Sequence, residues 1–405
     1  MNNRFKLFWY YSRIMENSEG LLNKLWRILK EIILSGYYLT SFGANKKCET
    51  LFFTSISRKD HVDLFSKIYG TCGKVKSIIQ VNHVRRISAK TLYFALLNKR
   101  IFCETKNVMV PDIGGDNNLL QTKLETIPFL DRVLMFVKYC KILCIVTKIC
   151  NNEFYGATQL VVLCDALVIE NVLIVAAQKR GIHVVCCQHG LYTDNLAERS
   201  YDSLNYYDLP SDDYLVWGET TKKLFLKYNN NLRVHICGNP SLSIDPNIDQ
   251  TRNLWCIILD QPRYHQYNQK MIEVVSAVAT ELDKKVIIRI HPQEKGKESS
   301  YQIDREICLF DSDSDRAEMI FGHTSTMLYT YLLKGYPTFK YLSDIKSNEI
   351  SEKLVFRNEI DLQKKMNNIN GVSFFEEGKK QISCWGEESC DKYYYFFESN
   401  LHSVK

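Results

Sequence analysis

The sequence predicts an α/β protein of two doubly wound domains facing each other across a cleft, and three observations predict it. At 405 residues the chain is too long for one ordinary core and suits two. Short apolar runs alternate with helical stretches along much of its length, the pattern of repeated β-α-β units and a mainly parallel sheet. The segment Pro240 to Arg252 (PSLSIDPNIDQTR) breaks that alternation with prolines and short polar residues. It divides the chain into domains 48–240 and 241–405, behind an N-terminal segment 1–47.

Within that first segment, Leu21 to Thr40 places Leu22, Leu25, Trp26, Leu29, Ile32 and Ile33 on one helical stripe, with Lys24, Arg27, Lys30 and Glu31 elsewhere around the helix. Such a helix suits packing on the first domain or, together with Trp9, Tyr10, Tyr11 and nearby basic residues, lying on an anionic membrane surface. From Cys48 the alternation begins. Glu49 to Thr54 reads as a buried strand, His61 to Tyr69 as a helix and Lys74 to Val81 as the next strand. Gln159 to Cys164 is again strand, Ala166 to Arg180 helix with Gly181 as its stop, and Ile182 to Cys187 strand. After the break, strands at Leu254 to Leu259, Lys285 to Ile290, Glu306 to Phe310, Met319 to Phe321 and Thr338 to Tyr341 are separated by helices at Gln269 to Leu282 and Thr326 to Leu333.

Composition removes several function classes. Hydrophobic residues are 45% and charged residues 24%, so large cores are affordable, and the net charge of +6 is a mild basic excess. That excess is not gathered into a basic, aromatic-rich tract, which argues against a nucleic-acid groove. Fourteen cysteines are scattered, with an adjacent pair at Cys186 and Cys187 and no CxxC zinc spacing, as expected for a reducing compartment. The N-terminus lacks a signal-peptide pattern, and Val133 to Cys150, the nearest candidate for a membrane span, contains Lys138, Lys141 and Lys148. The expectation is a cytoplasmic protein, with peripheral contact to the inner face of the cytoplasmic membrane as its one membrane role.

In open parallel sheets, ligands bind at the carboxyl ends of the strands, so the residues after each strand carry the functional weight. Four exits are chemically loaded. After IHVVCC comes Gln188-His189-Gly190: glycine lets the chain turn, and an imidazole there is suited to take a proton from a hydroxyl, with Asp194 to orient it or replace it as base. After KVIIRI comes His291-Pro292, where the proline fixes the exit direction and the histidine can grip a phosphate oxygen. After MIF comes Gly322-His323-Thr324-Ser325-Thr326, opening an apolar helix whose N-terminal N–H groups and small hydroxyls favour an anion. After LWCIIL comes Asp260-Gln261-Pro262-Arg263, with backbone to line the cleft and Arg263 for a phosphate. Glu219, after YLVWG, reads as a possible substrate contact along with Gln188 and Gly190, or simply as the start of a helix. Asp311, Asp313 and Asp315 resemble a metal-binding DxD but lie in an acidic loop away from the glycine-hydroxyl turn, so no metal and no cofactor is expected.

The stretch from IILDQPRYH through VIIRIHPQEK to GHTSTMLYTYLLKG, covering Trp255 to Tyr341, resembles the C-terminal half of bacterial polysialyltransferases and related sialyltransferases. Their HP motif and downstream Ser/Thr motif hold the donor's CMP, which the resemblance places on His291 and Pro292, and on Thr324, Ser325 and Thr326. The first half departs from that family, whose acidic D/E-D/E-G motif supplies the base. Here QHG, YLVWGE and VHICGNP look like capsule-synthesis glycosyltransferases and the CDP-glycerol glycerophosphotransferases, whose His-Gly base carries over to His189. Both families imply the GT-B arrangement of two Rossmann-like domains and cytidine nucleotides.

The resulting expectation is an inverting, metal-independent glycosyltransferase of capsule or O-antigen synthesis. It would take a nucleotide-activated sugar, CMP-sialic acid first, and pass it to an oligosaccharide or lipid-linked acceptor. Same-class rivals are transfer from a UDP-sugar and from CDP-glycerol or CDP-ribitol. A rival of another class is a catalytically idle partner that assembles glycan enzymes.

Overall fold

The computed structural model describes residues 36–42, 48–56, 58–73, 76–84, 156–165, 167–192, 209–244, 253–311, 316–343 and 350–399, with scattered positions between 142 and 154. The amphipathic stripe Leu22 to Ile33, the aromatic residues Trp9 to Tyr11 and the Lys138 to Lys148 region's charged positions fall outside these residues. Two sheets organise the chain. The first has seven strands: β1 (Gly36–Phe42), β2 (Thr50–Thr54), β3 (Lys76–Val84), β4 (Gln159–Val162), β5 (His183–Cys187), β6 (Asp213–Val216) and β7 (Arg233–Ile236). Their spatial order is β1-β3-β2-β4-β5-β6-β7, parallel except for β1, which runs antiparallel to β3 with Gly36 opposite Val84 and Phe42 opposite Ile78. The second sheet is all parallel: β8 (Leu254–Ile258), β9 (Lys285–Arg289), β10 (Cys308–Phe310), β11 (Met319–Gly322), β12 (Thr338–Tyr341) and β13 (Val355–Phe356), ordered β10-β9-β8-β11-β12-β13.

The helices are α1 (Lys59–Thr71), α2 (Val168–Gln178), α3 (Glu219–Tyr228), α4 (His265–Glu281), α5 (Thr326–Leu333), α6 (Glu359–Asn367), α7 (Phe374–Gln381) and α8 (Gly386–Ser399). Central strands covered on both faces are largely apolar, and β2, β4 and β6 are buried at every position, with polar residues only at their ends: Thr50, Thr54, Gln159 and Asp213. Trp255 to Leu259 likewise contributes five consecutive buried residues to the second core.

One element expected as helix is not. Gly36 to Thr40, the end of the stretch Leu21 to Thr40, belongs to β1. The reason is local: Gly36 breaks helical continuity, and the following Tyr-Tyr-Leu-Thr-Ser-Phe favours a pleated strand. The first sheet therefore begins before Cys48.

The chain also returns at its end. Helix α8 lies against α1, and Tyr393, Phe396 and Phe397 share one cluster with Phe52, Leu64, Phe65, Val185 and Trp217 of the first sheet. The crossing is tight at Gly238, whose φ is +78° and where a Cβ would stand 2.2 Å from the Cys384 carbonyl oxygen. Around it the Ser389 hydroxyl donates to Cys237 O at 2.7 Å and Asn239 N–H donates to Cys384 O at 3.0 Å. No described helix is long and apolar enough to cross a membrane.

Candidate functional site

The exits of β2 and β5 form one wall. After β2, the Ser55 N–H and hydroxyl both donate to the Glu170 carboxylate, at 2.7 and 2.8 Å. Glu170 is fully buried in the first turn of α2, and desolvation pushes it up to about 7 against the hydrogen bonds from Ser55. This clamp shapes the short path into α1, which carries Arg58 just before the helix and His61 in its first turn. The Arg58 guanidinium ion-pairs with Asp60 at 2.6 Å and donates to His61 Nε2. The His61 ring meets the His189 ring edge to face, with centroids 5.3 Å apart, and the Tyr192 ring meets His189 edge to face at 5.8 Å.

The electrostatics of this wall follow from dryness and one cation. Burial, then the Arg58 charge, lowers His61 to about 4. Burial, then His61 and Arg58, lowers His189 to about 3. His61 Nδ1 and His189 Nδ1 are both buried without a hydrogen-bond partner among the described residues. Both imidazoles are therefore neutral at neutral pH.

His189 thus stands at the expected strand exit. Gln188 makes structural bonds: its amide oxygen accepts from Trp217 N–H at 2.7 Å, and its amide nitrogen donates to Gly190 O at 2.8 Å and to the Thr221 hydroxyl at 3.3 Å. A buried amide needs those partners, so Gln188 staples the β5 exit to β6 and α3. Gly190 contributes its carbonyl to that staple. Glu219 is exposed in the first turn of α3, the place a helix dipole favours for a carboxylate. Asp194 lies outside the described residues.

The second wall is built from the exits of β8, β9 and β11. Asp260, buried after β8, accepts from both the backbone N–H and the hydroxyl of Thr324 through one carboxylate oxygen, at 2.6 and 2.8 Å. His323 Nδ1 lies 3.3 Å from the same oxygen, and its Nε2 pairs with the Ser343 hydroxyl at 2.6 Å. Asn268 of α4 brackets the Asp260 backbone with two bonds of 3.0 Å and also donates to the Tyr301 hydroxyl, which donates onward to Glu294. Lys340, buried on β12, is pushed down to about 8 by desolvation while Asp260 opposes that shift. A carboxylate beneath the turn is thus balanced by a buried ammonium.

This network revises the expected anion cradle. Thr324 spends its N–H and hydroxyl on Asp260, because a buried carboxylate must be satisfied. Ser325 caps α5 through its hydroxyl, which accepts from Met327 N–H at 3.4 Å. Leu328 N–H donates to Ser325 O at 3.2 Å, so what remains for an anion at the helix start is Thr326, at the first helical position, and the positive end of the helix dipole. Gly322 acts by its small size: a Cβ there would be 2.8 Å from Leu328 of α5.

His291 is half-buried after β9, and Pro292 opens the short turn Pro292–Glu294. Burial lowers the His291 pKa, Asp260 and Glu294 raise it, and Arg58 lowers it. Gln261 precedes the turn Pro262–Tyr264; the Arg263 side chain lies outside the described residues. The Arg58 charge is felt by His61 and His189 of one half and, as the least of four influences, by His291 of the other. Leu191, two residues after His189, packs against the cores of both halves.

Among the described residues no group of three or more metal-ligating side chains converges; Asp313 and Asp315 lie outside them. Arg58, His61 and Glu170 were not singled out by the sequence reading. The one available signal was that Ser55 to Asp60 follows an apolar strand just as QHG does.

No protein-family model matches the chain, and neither does any curated protein. Solved structures do. A protein of Listeria monocytogenes described as a UDP-N-acetylglucosamine 2-epimerase superposes with a TM-score of 0.52 over 89% of this chain and 98% of its own, at 11% identity. The fold is GT-B. At that identity the shared property is architecture: two Rossmann-like halves across a cleft. Other GT-B structures align less closely. The Neisseria meningitidis UDP-GlcNAc 2-epimerase bound to UDP-GlcNAc has a TM-score of 0.46 over 87% of this chain and 98% of its own, at 14% identity. The wall teichoic acid polymerase TagF has 0.44 over 99% of each chain, at 12% identity.

Proposed function

We propose that this GT-B protein is a glycosyltransferase that takes a sugar from a nucleotide donor held by the C-terminal half and passes it to a hydroxyl presented by the N-terminal half. What supports this reading is the GT-B fold, with His189 at the exit of β5 in one half, His291 and the start of α5 at strand exits in the other, and Leu191, two residues after His189, packed against the cores of both. The HP and Ser/Thr motifs make CMP-sialic acid the first donor to test, and an oligosaccharide or lipid-linked glycan of a bacterial surface polymer the acceptor. Transfer inverts the sugar: the acceptor oxygen attacks opposite the phosphate while His189, with Asp194 as its substitute, receives the hydroxyl proton. Negative charge then grows on the leaving phosphate, where His291 and the start of α5 at Thr326 bind it more strongly than in the ground state. Losing one such donor costs about 3 kcal/mol in the transition state.

The QHG exit favours a second reading, transfer of a glycerol- or ribitol-phosphate unit from a CDP-alcohol. Thermal stabilisation by CMP, CDP and UDP, measured in parallel, separates the cases. Stabilisation by CMP above the others supports the sialyl donor, and stabilisation by CDP supports the CDP-alcohol. UDP-selective stabilisation refutes both cytidine readings.

A further inference from the structure

The His61 and His189 pair is arranged against the role just given to His189, and the arrangement has one removable cause. A guanidinium only donates, so His61 Nε2, which receives the Arg58 bond, is an acceptor and the ring hydrogen sits on Nδ1. A base at His189 with an open Nε2 must itself carry its hydrogen on Nδ1. Two Nδ1–H groups would then lie in one buried patch, on rings 5.3 Å apart, with no acceptor for either among the described residues. Protonating His189 adds a cation to the same patch, within reach of the Arg58 charge.

We propose that Arg58 is a donor-operated switch: with the cleft empty it holds the imidazole pair in a form that takes protons poorly, and the phosphate of a bound nucleotide draws it away and releases His189 as a base. This rests on the glycosyltransferase reading above. Three features of Arg58 fit it. Its side chain is 59% exposed, so it is free to swing. Its partner Asp60 is equally exposed, at 63%, and holds it by a surface ion pair of small worth. Its charge is also one of the influences on His291, after burial, Asp260 and Glu294.

The proton ledger of the release is closed. Once Arg58 leaves, one proton moves through water from His61 Nδ1 to His61 Nε2, and the ring stays neutral. His61 Nδ1 becomes an acceptor for the Nδ1–H of His189, and His189 Nε2 is then open to the acceptor hydroxyl. The depressed proton affinities of both rings agree with the held state. Among the described residues the charged groups acting on the pair are Arg58, just before α1, and Asp60, in its first turn.

The test is a titration of imidazole nitrogens by NMR in the full chain, with signals assigned by single His→Gln variants. Wild type and Arg58→Gln are compared with and without CMP, CDP and UDP, and binding is followed separately by thermal shift. In the absence of nucleotide, Arg58→Gln should raise the titration midpoints of His61 and His189 by about one pH unit or more. A nucleotide that binds should raise His189 in wild type and leave it unmoved in the variant. If His189 titrates alike in wild type and Arg58→Gln, Arg58 holds nothing and the proposal fails. If a nucleotide binds and His189 stays put in wild type, the switch fails while the functional reading stands. A chain that binds none of the three loses both.

Discussion

Replacing Asp260 with alanine should collapse the second wall without touching any group that meets the substrate. One carboxylate oxygen holds the Thr324 N–H at 2.6 Å and the Thr324 hydroxyl at 2.8 Å, in a residue only 4% exposed. The substitution strands both donors and leaves the buried Lys340 ammonium without the carboxylate that favours its charge. A hydrogen bond to a charged acceptor contributes about 1.5–3 kcal/mol, and breaking a buried charge pair by deleting one partner costs about 3–5 kcal/mol. These overlap rather than add, since Lys340 can respond by releasing its proton, so the loss should be about 3–5 kcal/mol. For a domain of this size that is roughly 6–20 °C in melting temperature. Asp260→Asn, which keeps one acceptor oxygen but no charge, should fall between the two. Hydrogen exchange should localise the damage: the Thr324 amide, protected in wild type, should exchange far faster in Asp260→Ala. An alanine variant within about 1 kcal/mol of wild type, with Thr324 still protected, would refute the reasoning.

The depressed histidines make stability depend on pH in a stated direction. In the unfolded chain His61 and His189 take protons near pH 6.5, whereas in the folded one they do so only near pH 4 and 3. The folded state therefore binds fewer protons below 6.5, so this stability is present above that pH and is lost as pH falls through the window. Urea midpoints should drop between pH 6.5 and 4, and His61→Asn should flatten the drop. At the crossing between the halves, Gly238→Ala meets both a left-handed φ of +78° and a carbonyl 2.2 Å from the new Cβ. Denaturant unfolding should show a loss above about 3 kcal/mol; a cost like that of an ordinary exposed Gly→Ala, under about 1 kcal/mol, would mean that the crossing gives way freely.

The strands were legible because a parallel sheet covered on both faces is written as a near-continuous apolar run, as in LWCII, LVV after Gln159 and VVCC after His183. Their exits were legible for a related reason: Gln-His-Gly, His-Pro and Gly-His-Thr-Ser-Thr interrupt such runs with residues that turn or bind. The partners of those exits were not legible. Glu170 serves Ser55 from 115 positions away and Asp260 serves Thr324 from 64, and no local pattern links them. Thr324 was accordingly read as a phosphate ligand when its polar atoms are spent on Asp260. Helix α8 was within reach of the sequence, since Tyr393, Phe396 and Phe397 recur at helical spacing, but its return to the first core was not, because amphipathicity names a buried face without naming what buries it.

The two walls divide the electrostatic work unequally. At the second wall the buried Asp260 and Lys340 oppose each other, so neither lends much field to an anion at the start of α5. Among the described residues, what an anion would meet there is the helix end, worth about half an elementary charge, and His291, which burial holds toward its neutral form. Among the described residues, the cation of the other half whose charge is felt at His291 is Arg58. On the reading proposed here, charge developing on a leaving phosphate is therefore met best when the halves approach. The step that strengthens the cradle is then the same one that takes Arg58 off His61. Coupling of that kind would tie proton removal to a filled donor site, leaving the imidazole pair inert whenever the cradle is empty.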